Sequence, residues 1–155
     1  MRPELVKRAR AWVRFFSSFP ATHAVTVAYN PDVDAIVSLA RIRADLSKLH
    51  LYVDVELHGR RVIAWSEDRR CAFIGFVEHP GTNAHVHMLW RVPANRQHEF
   101  EQALATVWTR IHPPGSTDVK PDPDAGWAKY ACKDQWGAAL DGEPDLFVAS
   151  HAANP

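Results

Sequence analysis

Cysteine is scarce in this chain. Of 155 residues only Cys71 and Cys132 carry a thiol, and their separation rules out a CxxC pair. This argues against a disulfide framework and suits a reducing, cytoplasmic setting. No apolar run approaches the roughly 20 residues a membrane span requires, so no membrane association is expected. The opening MRPELVKRAR carries charge without a following apolar stretch, which argues against a signal peptide. Net charge is missing too, since 18 Lys and Arg balance 18 Asp and Glu; bulk electrostatics alone names no nucleic-acid partner. There is no GxxxxGK[ST] phosphate loop, so any helicase must come from another protein. Internal repeats and low-complexity segments are also lacking.

What remains is an ordinary globular composition, 46% apolar and 23% charged, in a chain long enough for one domain with its own core. Charge is unevenly spread. Residues 1–14 hold Arg2, Lys7, Arg8, Arg10 and Arg14 against Glu4, and residues 60–70 hold Arg60, Arg61, Arg69 and Arg70 against Glu67 and Asp68. Folded onto one face, Arg8, Arg10, Arg60, Arg61, Arg69 and Arg70 would form a track for phosphates; otherwise they simply solvate the surface. The C-terminal part reverses the sign, with Asp118, Asp122, Asp124, Asp134, Asp141, Glu143 and Asp145 outnumbering its lysines.

Periodicity predicts the elements. Leu5, Val6, Ala9, Trp12, Val13 and Phe16 lie at helical spacing over 3–17. HAVTVAY, 23–29, alternates and is rich in β-branched residues, the pattern of a strand. From about 33 to 57 apolar residues step by three or four, a long helix with Asp32 or Asp34 as its cap and Gly59 at its end. CAFIGFVEH, 71–79, the turn PGTN and AHVHMLWRV form a predicted antiparallel hairpin, with VIAW, 62–65, as a short edge strand. Residues 95–111 read as a helix with Phe100, Leu104, Val107, Trp108 and Ile111 inward; TDVKP is strand-like; residues 123–136 form a last helix opened by proline and aspartate. Residues 1–136 make a single domain, and 137–155 a weakly structured tail. The expected fold is α+β, a central antiparallel sheet with helices able to cover one face.

Two constellations carry chemistry. His85 and His87 are two apart in a strand, so both imidazoles leave the same face. A strand histidine is commonly a structural hydrogen-bonder, but Glu78 on the preceding strand is turned back beside this pair. Together they form a set of two histidines and one carboxylate suited to Mg²⁺ or Mn²⁺ acting on a phosphate oxygen. Glu78 could instead pair with Arg91, and His79 is expected on the opposite face. The second constellation is KYACK, which sets Tyr130 and Lys133 three apart on a helix. A phenol, with a pKa near 10, needs an activated phosphorus and a nearby cation to serve as nucleophile. The bland alternative is a packed aromatic helix, with Trp127 and Trp136 beside Tyr130.

Taken in order, HAVTVAY, HVH and YACK resemble the three signatures of the HUH endonuclease superfamily, and within it the rolling-circle replication initiator (Rep) proteins. The likeness spans residues 23–134. It implies a ferredoxin-like sheet, a metal held by His85, His87 and Glu78, and Tyr130 as the single catalytic tyrosine with Lys133 beside it. The reaction implied is nicking and joining of single-stranded DNA, with a 5′-phosphotyrosine bond and a free 3′-hydroxyl. Single-stranded DNA or an origin hairpin would be the substrate, a host helicase and polymerase would act in trans, and the source would be a small plasmid or phage-like element. Other readings are a transposase or relaxase of that superfamily, a Rep-like module that binds without cutting, and a hydrolase using water.

Overall fold

The alternation in HAVTVA suits a pleated surface, and it forms the second-from-edge strand of a five-stranded antiparallel sheet. The computed structural model describes residues 3–30, 36–131 and 146–150. In it β1 is His23–Ala28, β2 Ala72–Glu78, β3 His85–Arg91, β4 Ser116–Pro121 and β5 Phe147–Ala149, in the spatial order β4-β1-β3-β2-β5. The hairpin of β2 and β3 is present, with Phe76 opposite His87 and Glu78 opposite His85. β3 lies at the centre and pairs on its other side with β1, bringing Thr26 opposite His87. The β2–β3 pair is close enough that a Cβ at Gly75 would stand 2.5 Å from the His87 carbonyl oxygen and 2.7 Å from Met88 Cγ. Glycine here is a packing requirement.

Among the described residues, four α-helices cover the sheet. α2, Leu39–His58, and α3, Gln97–Ile111, pack on the face that carries Val25, Val27, Phe73, Met88 and Trp90. Phe100 of α3 meets Trp90, and His50 of α2 meets Phe73. On the other face lie α1, Pro3–Ser18, and α4, Ala125–Ala131. There Phe16 stacks on Phe76 at 4.9 Å and Trp12 meets Phe76 edge-on. The fold is α+β, and helices lie on both faces rather than one. The short α4 leaves part of the second face to the polar side chains of β1, β3 and β4.

Three local expectations are corrected. α2 begins at Leu39 and its cap is Ser38, whose Oγ accepts from the Arg41 amide at 3.1 Å; Asp32 and Asp34 lie outside the described residues. Its end is as expected, at Gly59 with φ +80°. VIAW is no strand, for Arg60–Ala64 is a 3₁₀ helix that buries only Val62. It follows the helix too closely to reach the sheet edge. The tail is not weakly structured throughout: Phe147–Ala149 is β5, paired with β2, and Phe147 packs against Trp12 and Phe76. Its few apolar residues suffice because the edge of β2 supplies the hydrogen-bond partners.

Candidate metal and tyrosine site

Strand register builds the site. On the face shared with α1 and α4, one cross-strand row runs Asp118, Thr26, His87, Phe76, and the next runs Ser116, Ala28, His85, Glu78. His87 thus stands diagonal to Glu78 and opposite Thr26, and both of its ring nitrogens are engaged. Nε2 lies 2.5 Å from Glu78 Oε2 and Nδ1 lies 2.9 Å from Thr26 Oγ1. His87 and Glu78 are both buried. With Glu78 ionised, the Nε2–H donates to the carboxylate. A proton therefore sits where a cation shared by the two groups would lie.

His85 is half-buried and shares the orientation of His87, their rings within 10° of parallel and 6.5 Å apart. Its Nδ1–H donates to the Asn83 carbonyl oxygen at 2.6 Å. In the neutral ring that bond leaves the lone pair on Nε2, the arrangement of a histidine poised to ligate. Glu78 does not pair with Arg91, which instead donates to the carbonyl oxygens of Glu67 and Arg70. His79 departs from the expected opposite face. Its φ of 50° takes it out of the strand alternation, and its Nε2 comes within 3.4 Å of Glu78 Oε1.

α4 sets the tyrosine over this row. Asp124 caps it, Oδ1 accepting from the Gly126 amide at 2.9 Å and the Trp127 amide at 3.2 Å. Trp127 and Tyr130, three apart, stack at 5.3 Å, and the Tyr130 ring meets His87 edge-on at 5.2 Å. Tyr130 is 46% exposed, so it is not a core aromatic. It borders an open hollow of about 540 Å³ with His87, Thr26, Asp118 and Lys120. Lys133, the cation expected beside Tyr130, lies outside the described residues, as do Cys132 and Trp136.

The basic segments do not share one face. Arg8 and Arg10 are on α1, and Arg10 lines a groove with Lys7, Arg14 and Lys129 beside the tyrosine helix. Arg60, Arg61, Arg69 and Arg70 lie where the chain enters β2, and Arg91 at the far end of β3 is bonded to that segment. The seven residues of β2 separate this end from Glu78 by roughly 20 Å. Arg70 is committed to buried Asp54 at 3.0 Å, and Arg69 lies over the Trp65 ring.

No family model matches the chain, and no curated protein or solved structure matches it.

Among the described residues one trio of His, Cys and carboxylate donors lies within 4.8 Å of one another, and it is not at this site. It is Asp54, His58 and Cys71, on the α2 side of the sheet, and it could hold a metal ion. Burial, reinforced by Asp54, pushes the Cys71 thiol up, so that without a cation it keeps its proton. At the tyrosine site the donors of Glu78, His85 and His87 share a face without being drawn to that spacing. Sequence reasoning passed over Thr26, Asp118 and Lys120. Thr26 was detectable as the hydroxyl residue within the apolar run AVTVA, whereas Asp118 and Lys120 needed the pairing of β4 with β1.

Proposed function

We propose that the chain is a metal-dependent enzyme that nicks and rejoins single-stranded DNA through Tyr130, in the manner of the rolling-circle replication initiators of the HUH endonuclease superfamily. The observation that carries this reading is the half-exposed Tyr130 ring 5.2 Å from the ring of His87, whose Nε2 faces Glu78. A phenol is thereby held beside two potential metal ligands, at the mouth of an open hollow.

The donor set suits a hard divalent cation. Glu78, His87 and His85 would hold Mg²⁺ or Mn²⁺, which when bound supplies electrostatic polarisation of a phosphate oxygen. Thr26 holds the ring of His87 through Nδ1 and so directs Nε2 toward the cation position. In the reaction Tyr130 Oη forms a bond to phosphorus and gives up its proton. The bond from phosphorus to the 3′-oxygen breaks, and that oxygen gains a proton to become the free 3′-hydroxyl. One phosphodiester replaces another, so the step is reversible and the same tyrosine can rejoin ends. Lys133 would offset the charge developing around the phosphorus. Lys7, Arg10, Arg14 and Lys129 would draw the strand's phosphates toward α4.

The 2.5 Å contact of His87 with Glu78 favours a second reading, a Rep-like module that recognises DNA without cutting, since the pair is satisfied without a cation. One experiment separates them. Incubation with pooled single-stranded oligonucleotides, including hairpins, and Mn²⁺ is expected to give a DNA–peptide adduct at Tyr130, lost on chelation and in Tyr130→Phe. Tyr130→Phe should still bind DNA. Adducts undiminished in that variant would remove Tyr130 from the chemistry, and DNA binding without any adduct would establish the non-cutting module. The sequence of the adducted strand would then distinguish an origin nickase from a transposase or relaxase.

A further inference from the structure

α2 presents Asp54 and His58 one turn apart, on one side of the helix. The chain then makes two short 3₁₀ turns, Arg60–Ala64 and Glu67–Arg69, and returns to the same place at Cys71, just before β2. Asp54 and Cys71 are fully buried. Asp54 is held rigidly, its Oδ1 accepting from the Cys71 amide at 2.9 Å and its Oδ2 from Arg70 Nε at 3.0 Å. His58 is different. Its Nε2 is buried and has no hydrogen-bond partner, and a nitrogen of the same ring belongs to a trio whose donor atoms lie within 4.8 Å of one another. A buried imidazole nitrogen without a partner calls for an explanation, and a cation between these groups supplies one.

We propose that Asp54, His58 and Cys71 form a second metal site, distinct from the tyrosine site, which binds Zn²⁺ and ties the end of α2 to the start of β2. A thiolate, an imidazole and a carboxylate are a mixed set of sulfur, nitrogen and oxygen donors that suits zinc over magnesium or manganese. The ligands flank residues 59–70, so the ion closes that connection at its base. Arg70 and the Cys71 amide orient the carboxylate from outside the coordination sphere, as partners of metal ligands commonly do. Binding expels the thiol proton to solvent, and the fourth tetrahedral position falls to water. The site stands on the opposite side of the sheet from Tyr130 and does not depend on the nicking reading.

Cobalt(II) tests this directly, because its bond to a thiolate gives an intense near-ultraviolet absorption that carboxylates and imidazoles do not. The 155-residue chain, stripped with chelator, is titrated with Co²⁺ and then with Zn²⁺. One equivalent of Co²⁺ is expected to develop the band, and Zn²⁺ to abolish it. The band is expected to persist in Cys132→Ser, which removes the chain's other thiol, and in His87→Ala, which removes a ligand of the tyrosine site. It is expected to disappear in Cys71→Ser and to weaken at least tenfold in apparent affinity in His58→Ala. Absence of the band in the parent protein would overturn the proposal, as would its loss in Cys132→Ser with retention in Cys71→Ser. Because the parent and Cys132→Ser leave the trio intact, a folding defect in the other variants does not protect the proposal.

Discussion

Thr26, His87 and Glu78 form a chain of contacts across three strands, 2.9 Å on one side of the imidazole and 2.5 Å on the other. The two outer residues do different things to the ring between them. Glu78 faces the nitrogen that a cation would claim, whereas Thr26 holds the opposite nitrogen and sets the ring's direction. Thr26→Val keeps the shape of the side chain and removes only that hold. It is expected to weaken Mn²⁺ binding roughly 10- to 100-fold, read by calorimetric titration; unchanged affinity would take Thr26 out of the site. His87→Ala removes a hydrogen-bond partner of a buried carboxylate and is expected to lower stability by about 1–3 kcal/mol, measured by urea unfolding of the metal-free protein. An unchanged midpoint would mean that Glu78 is satisfied without His87.

The hairpin of β2 and β3 is the element on which the site depends, because the register that sets Glu78 opposite His85 also sets Gly75 opposite Met88. A side chain at Gly75 would push on the His87 backbone, with its Cβ 2.5 Å from the carbonyl oxygen. Gly75→Ala is therefore expected to destabilise the fold by about 1–3 kcal/mol, seen as a lower urea midpoint. If the strands part to admit the methyl group, adduct formation should fall with it. α4 is the less secured element, a helix of seven residues held by the Asp124 cap and by the stacking of Trp127 on Tyr130.

Over the whole molecule α2 and α3 bury one face of the sheet, and burial on that face, where His23 meets Phe100, shifts the proton affinity of His23. Desolvation lowers its pKa below the usual 6.5, against the opposing pull of Asp122 and Glu101. The folded chain thus binds this proton less readily than the unfolded chain. Its contribution to stability is complete above the unfolded value and is lost as pH falls through the folded one. The urea midpoint is expected to drop as pH falls below the usual 6.5, and His23→Gln should flatten part of that slope. A slope identical in the variant would assign it to other groups. Charge is also partitioned at this scale. The cations of α1 border the tyrosine helix, while Arg70 is spent on Asp54 inside the fold.

Local pattern was enough to determine most elements of this protein. Alternation in HAVTVA, the short apolar run AFIGFVE ahead of the turn PGTN, helical spacing over the first helix and α3, and Gly59 at a helix end are each decided by near neighbours along the chain, so they were legible. The shared face of His85 and His87 follows from the same alternation. Contacts between distant segments were not legible. Ser38 capping α2 and Arg60–Ala64 winding into a 3₁₀ turn are choices among several local options. β5 exists because β2 offers an unpaired edge, which the tail's own composition does not reveal. His79 reached Glu78 through a single left-handed residue that breaks the alternation used to place it. Only the tertiary structure brought Thr26 beside His87, sent Arg60, Arg61, Arg69 and Arg70 to the far end of the sheet, and gathered Asp54, His58 and Cys71. Each of these depends on how strands pair and layers pack, and the free energy of such contacts is set by partners far away in sequence.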